Sequence, residues 1–159
     1  AQRCWIILVE KKLPFTEINV NLGKKPKHFV ETYAEISMDP EARAKAPILE
    51  VGKPGEPGHV RLVESEVIAR YLEDAFPDPP MQSCDPACRA KGNMFTATFM
   101  ELVATNSQML LAAKTQDKVD QAWVGLRRGL FAVEMGLSRY SIGKPFFGDR
   151  FGLVEALCA

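Results

Sequence analysis

Glu64 and Ser65 stand together in "LVESEVIARYLED", after a short apolar run and before a helical pattern. A hydroxyl at a helix start can cap the free backbone N–H groups. Those same N–H groups, with the positive end of the helix dipole, also make an anion site, to which Ser65 would add a hydroxyl donor. Glu64 beside it would hold an ammonium group. A carboxylate and an ammonium on one carbon form an α-amino acid end, so the pair suits a γ-glutamyl group. Read alone, the stretch supports both a simple cap and a ligand site.

Pro47 in "KAPILE" follows an apolar residue and precedes a short strand pattern. That is compatible with a cis Ala46–Pro47 bond at the mouth of a site, while a trans proline that merely starts a strand is the ordinary alternative. "NLGKKPKHF" gathers Lys24, Lys25, Lys27 and His28 in one loop. Most such clusters are solvated, but one of these groups could hold a second carboxylate. Cys4 lies in an apolar helical face and reads as a buried structural thiol. Cys84 and Cys88 form a C-x3-C pair. Zinc sites use two such pairs or nearby histidines, and only His28 and His59 are present, so no metal is expected. Nor is this the C-x2-C spacing that favours a reactive dithiol.

The elements that must position these groups change character along the chain. "WIILV" is strand or buried helix by periodicity alone. "FTEINV" alternates imperfectly and predicts a strand. "PKHFVETYAEI" predicts a helix with Pro26 in its first position and Phe29, Val30 and Tyr33 on one face. "APILEVG" and "HVRLVE", separated by "KPGEPG", predict an antiparallel hairpin. The helix from Ser65 should bury Val67, Ile68, Tyr71 and Leu72. Prolines 77, 79, 80 and 86 in "FPDPPMQSCDP" mark a linker, after which Asp85 and Pro86 open a helix as cap and first residue. That helix is expected over roughly Pro86 to Lys114, with Met94, Phe95, Phe99, Leu102 and Val103 as apolar contacts. A second carries Val119, Trp123, Leu126, Leu130, Val133 and Leu137 at coiled-coil spacing and asks for a partner helix. Gly152 and Glu155 resemble a capping box lacking its hydroxyl.

With 159 residues, 47% apolar and 25% charged, the chain has ordinary globular composition. Its net charge of zero gives no reason to expect nucleic acid or an anionic membrane as main partner, and no run approaches membrane-span length. Four scattered cysteines do not make a disulfide scaffold, so a reducing, cytoplasmic setting is expected. The opening "AQRCWIILVEKK", without an initiator Met, and the closing apolar "LVEALCA" are expected to belong to a longer chain.

In this order, "AQR…WI…EKKLPF", "KAPILE", "VESEVIARYLED", a proline linker, paired helices and "PFFGDRFGLVEA" resemble the cytosolic glutathione transferases over nearly the whole chain. "NLGKKPKHF" and "PFFGDRF" bring the likeness nearest to the omega class. The resemblance implies an α/β thioredoxin-like domain followed by an all-α helical domain. Residues 1–76 would bind glutathione and lack the first strand, 77–85 would be the linker, and 86–159 the helical domain without its C-terminal part. "WIILV" then belongs to the first helix. Glutathione would lie beside Pro47, its cysteinyl unit paired with the Ala46 backbone. Glu64 and Ser65 would hold its γ-glutamyl end and Lys25 its glycyl carboxylate. A hydrophobic or disulfide substrate would sit near Met94 to Met100, and a homodimer is implied.

The family's catalytic residue would lie upstream of Ala1, as Cys-Pro-Phe/Tyr in omega-type members or as Ser or Tyr in other classes. A cysteine there has a lowered pKa and forms a mixed disulfide with glutathione. "AEISMDPEARA" and "GKPGEPGH" look like insertions near the glutathione edge. Two functions follow: an omega-like thiol transferase and reductase, or a non-catalytic binding or scaffold protein of the same fold.

Overall fold

The computed structural model describes residues 1–39, 41–141 and 146–159. They divide into two compact units, Ala1–Pro79 and Pro80–Ala159. Residues 77–85, expected as a linker, straddle that division.

The first unit runs α1 (Gln2–Glu10), α2 (Lys27–Ile36), β1 (Ile48–Val51), β2 (Val60–Val63) and α3 (Ser65–Ala75). "WIILV" is helical, as the resemblance implied, because Cys4 and Ile7 fall on one face and bury against α3. That helix contributes Ile68, Ala69 and Leu72 to the same core. Each large apolar side chain buried there is worth about 1.5–3 kcal/mol. Val67, expected inside, is half-exposed, and Glu73 takes a buried place instead.

Glu73 is buried with a partner. The Lys11 ammonium, at the C-terminal end of α1, lies 2.6 Å from the Glu73 carboxylate. It also donates to the carbonyls of Phe76 at 2.7 Å and Pro79 at 3.0 Å. The two hydrogen bonds and the ion pair together tie α1 to the end of α3 and the segment after it.

The predicted hairpin is present, antiparallel, with Ile48 opposite Val63 and Val51 opposite Val60. Gly52 begins its connection at φ +78, where a side chain would also crowd the His59 backbone. Phe29, Tyr33 and Ala44 pack with Val20, Ile48 and Val63 in a second small core. Helix α2 starts one residue later than expected, with Pro26 as its cap. Val30 points outward, because a helix can aim only the i, i+4 pair Phe29 and Tyr33 at this core. The strand expected over "FTEINV" is a correction. Residues 15–20 are irregular and join neither outer edge of the two-stranded β1–β2 sheet.

In the second unit, α4 (Pro86–Thr98) continues through a π-helical stretch (Phe99–Ala104) into α5 (Thr105–Ala112). Asp85 caps α4, accepting from the backbone N–H groups of Ala87 and Cys88, with Pro86 at the first position. Helix α6 (Gln116–Tyr140) returns antiparallel, with Gly125 facing Asn106, Gly129 facing Leu102 and Gly136 facing Phe95. The contact is therefore made by small residues. A Cβ at Gly129 would stand 2.8 Å from the Leu102 carbonyl carbon.

That close approach corrects the expected seam. The buried line of α6 includes Ala122 and Gly129, while Trp123 and Leu130, beside it, are each 51% exposed. Leu137 is at the surface too, and so is Met94 on α4. Backbones meeting through glycine leave no room for large side chains between them, so the apolar stripe is turned about one residue to the side.

Helix α7 (Leu153–Cys158) starts at Gly152. Glu155 reaches back to accept from the Gly152 N–H at 2.8 Å, the half of a capping box that needs no N-cap side chain. A Cβ at Gly152 would lie 2.6 Å from the Met81 carbonyl, which accepts from Leu153 N–H. Pro145 of "PFFGDRF" and Pro40 of "AEISMDPEARA" lie outside the described residues. None of the described helices is long and apolar enough to cross a membrane.

Candidate functional site

The hairpin register builds the site. Ala46 and Pro47 run directly into β1, Glu64 directly leaves β2, and Ile48 pairs with Val63. Pro47 and Glu64 are thereby neighbours at the open end of one hairpin. The Ala46–Pro47 bond is cis. Tyr33, Lys45, Ala46, Pro47, Glu64 and Ser65 line a cavity of about 190 Å³.

The start of α3 differs in detail from a Ser cap. Glu64 is the N-cap residue, at φ 68 and ψ 113, and Ser65 is the first helical residue. Among the described residues no side chain caps the leading N–H groups of α3. The Ser65 hydroxyl makes no hydrogen bond among the described residues, and its carbonyl accepts from the Cys4 thiol at 3.6 Å. A positive φ on a non-glycine residue costs about 1–3 kcal/mol and is retained where the surroundings enforce it. Here Val63 is held in the sheet before it, and the Glu64 carbonyl accepts from Ile68 N–H in the helix after it. The site end of α3 thus offers free N–H donors, a hydroxyl and a carboxylate together.

Tyr33 and Lys45 were not expected here. Tyr33 is only 3% exposed, and its hydroxyl lies 3.4 Å from Glu64 Oε1. Burial first, and then the neighbouring Glu64 carboxylate, push its phenol above the usual tyrosine range. Its helical spacing from Phe29 marked it as core, which it also is. A buried tyrosine usually seeks a partner for its hydroxyl, and that was the available signal. Lys45 brings a positive charge to the lining, directly before Ala46.

Lys25 does not line this cavity. Its ammonium donates to the Ala44 carbonyl at 2.6 Å. Lys27 pairs with Glu31 along the exposed face of α2. Cys4 is buried, and burial raises its thiol above the ordinary value, as befits a structural cysteine. Cys84 and Cys88 are exposed at the start of α4. In the second unit a larger cavity of about 470 Å³ includes Met94, Phe95, Thr98, Arg128 and Arg139 among its lining residues.

Comparison with known proteins bears on the family and the fold. Residues 1–75 match the family model for the glutathione S-transferase N-terminal domain. A probable glutathione transferase of Aplysia californica is 35% identical over 97 residues, which are 60% of this chain and 88% of that protein. Glutathione S-transferase omega-1 of Mus musculus is 25% identical over 158 residues, 99% of this chain and 59% of that one. The crystal structure of glutathione transferase Omega 3C from Trametes versicolor superimposes with a TM-score of 0.74 at 26% identity, covering 98% of this chain and 60% of its own. The chain thus spans about three-fifths of the length of these omega-class relatives. A thioredoxin-like unit followed by a helical unit fits these likenesses: the chain belongs to the cytosolic glutathione transferase family and is omega-like.

Proposed function

We propose that Ala46, Pro47, Glu64 and Ser65 bind glutathione and that the protein is an omega-like thiol transferase and reductase. The observation that carries this reading is the uncapped start of α3, where free N–H groups, the free Ser65 hydroxyl and the Glu64 carboxylate face one small cavity. The N–H groups and hydroxyl receive the γ-glutamyl carboxylate, and Glu64 receives its ammonium. The Ala46 backbone pairs with the cysteinyl unit. Lys25 takes the glycyl carboxylate by exchanging the neutral Ala44 carbonyl for a charged partner, the stronger hydrogen bond of the two. Lys45 adds positive charge on the same side.

The reacting thiol belongs to a cysteine upstream of Ala1. Its thiolate attacks the glutathionyl sulfur of a mixed disulfide and releases the substrate as thiol. A second glutathione thiolate then attacks the enzyme-bound glutathionyl sulfur, giving glutathione disulfide and returning the enzyme thiolate. The substrate is a small disulfide or electrophile, and the protein acts as a homodimer.

Retention of the protein on immobilised glutathione tests the site. The expected result is retention that is lost in Ser65→Ala and in Glu64→Gln. A parent protein that passes straight through overturns the glutathione reading and leaves the scaffold function of the same fold.

A further inference from the structure

Resting on the glutathione reading above, we propose that Tyr33 is a ligand-binding residue, which with Glu64 forms a two-acceptor seat for the α-ammonium of the γ-glutamyl group. Glu64 alone presents a carboxylate on a long side chain at an exposed position. A lone glutamate of this kind pays rotamer entropy to fix a ligand. Tyr33 removes that freedom from one side. Its ring is locked in the core formed with Phe29 and Ala44, so the hydroxyl is fixed in the cavity lining. The hydroxyl donates to Glu64 Oε1 at 3.4 Å, a long bond that leaves room to tighten when a cation closes on both groups.

A phenol hydroxyl has one proton and acceptor lone pairs to spare. With its proton directed to the carboxylate, the oxygen still accepts from an ammonium N–H. An α-ammonium therefore meets a charged acceptor from Glu64 and a neutral one from Tyr33. Burial and the Glu64 charge both keep the phenol protonated, which preserves this donor–acceptor polarity at neutral pH. The seat selects a primary ammonium over an uncharged group at the same carbon. A methylene or hydroxyl there would leave the Glu64 carboxylate without its cation.

The test compares glutathione with its analogue lacking the α-amino group, γ-glutaryl-cysteinylglycine, by titration calorimetry on the parent protein and on Tyr33→Phe. Phenylalanine keeps the ring and its packing, and circular dichroism checks the fold. Should Tyr33→Phe not fold, Tyr33→Met carries the same comparison. The parent should bind glutathione more tightly than the analogue. Tyr33→Phe should lose about five- to tenfold in affinity for glutathione while binding the analogue as before. Equal losses for both ligands would mean that Tyr33 acts only through packing, and no loss for either would mean that it is idle. Each of these overturns the inference while glutathione binding stands. A parent protein that binds neither ligand overturns the glutathione reading, and this inference with it.

Discussion

Replacing Lys11 by methionine should destabilise the first unit by about 4–6 kcal/mol. The substitution keeps the aliphatic stem and removes the cation that faces Glu73, which is 4% exposed. Removing one partner of a buried ion pair costs about 3–5 kcal/mol, because the other charge stays buried and loses that cation. The Phe76 and Pro79 carbonyls also lose a donor. They sit nearer the surface, where water replaces part of that loss, so they add about 1 kcal/mol together. Glu73→Leu in the same protein removes the buried carboxylate as well. The double variant should therefore recover to within about 1–2 kcal/mol of the parent, leaving the carbonyls as the residual cost. The chain has two tryptophans, Trp5 on α1 and Trp123 on α6. Urea titration followed by Trp5 fluorescence in a Trp123→Phe background reads the first unit alone, and the cycle of single and double variants isolates the coupling. A Lys11→Met variant within about 1 kcal/mol of the parent, or a double variant equal to the sum of its singles, would refute the argument.

Gly129→Val should cost about 1–3 kcal/mol and lower the melting temperature by several degrees, because its Cβ meets the Leu102 backbone, which cannot rotate aside. An unchanged melt would mean that α6 does not approach so closely. In Asp85→Ala the cap of α4 is lost, and the melting temperature at pH 7 should fall below the parent's. The Asp85 carboxyl is held below its usual range by the Cys88 thiol and the Ala87 and Cys88 N–H groups. Its contribution is therefore present above the ordinary aspartate pKa and lost as pH falls through the lowered one. The gap between the two proteins should close on acidification, and a gap constant with pH would contradict this. Iodoacetamide should modify Cys84 and Cys88 in the native protein and leave Cys4 untouched until urea is added, as read by peptide mass spectrometry.

Local chemistry was the legible part of this fold. The glycine-proline turn, the Asp85–Pro86 start of α4 and the entry into α3 each follow from a few adjacent residues, and each is found where those residues stand. What depends on distant partners was not legible. "FTEINV" has a strand's composition, yet a strand also needs a partner, and this segment pairs with neither β1 nor β2. The leucine spacing of α6 is real, but Gly125, Gly129 and Gly136 fix how close its neighbour comes and so which face is covered. At the site, Ala46, Pro47, Glu64 and Ser65 come together because one hairpin joins their segments. Lys25 is drawn aside by a carbonyl that no local pattern could point to. Tyr33 was visible as a core residue, and its second role depends on Glu64, 31 residues further along the chain.

The hairpin has another consequence, for anyone wishing to label or immobilise the protein. Ile48 and Val63 set the spacing of Pro47 and Glu64, whereas the Gly52–His59 connection closes the opposite end. Lengthening that connection adds closure entropy only logarithmically, about 0.6 kcal/mol per doubling, and leaves the strand pairing in place. A peptide tag inserted at Gly55, in the exposed tip, should leave ligand recognition intact. One residue added inside β1 would slide one half of the site past the other by a full strand step, about 3.3 Å.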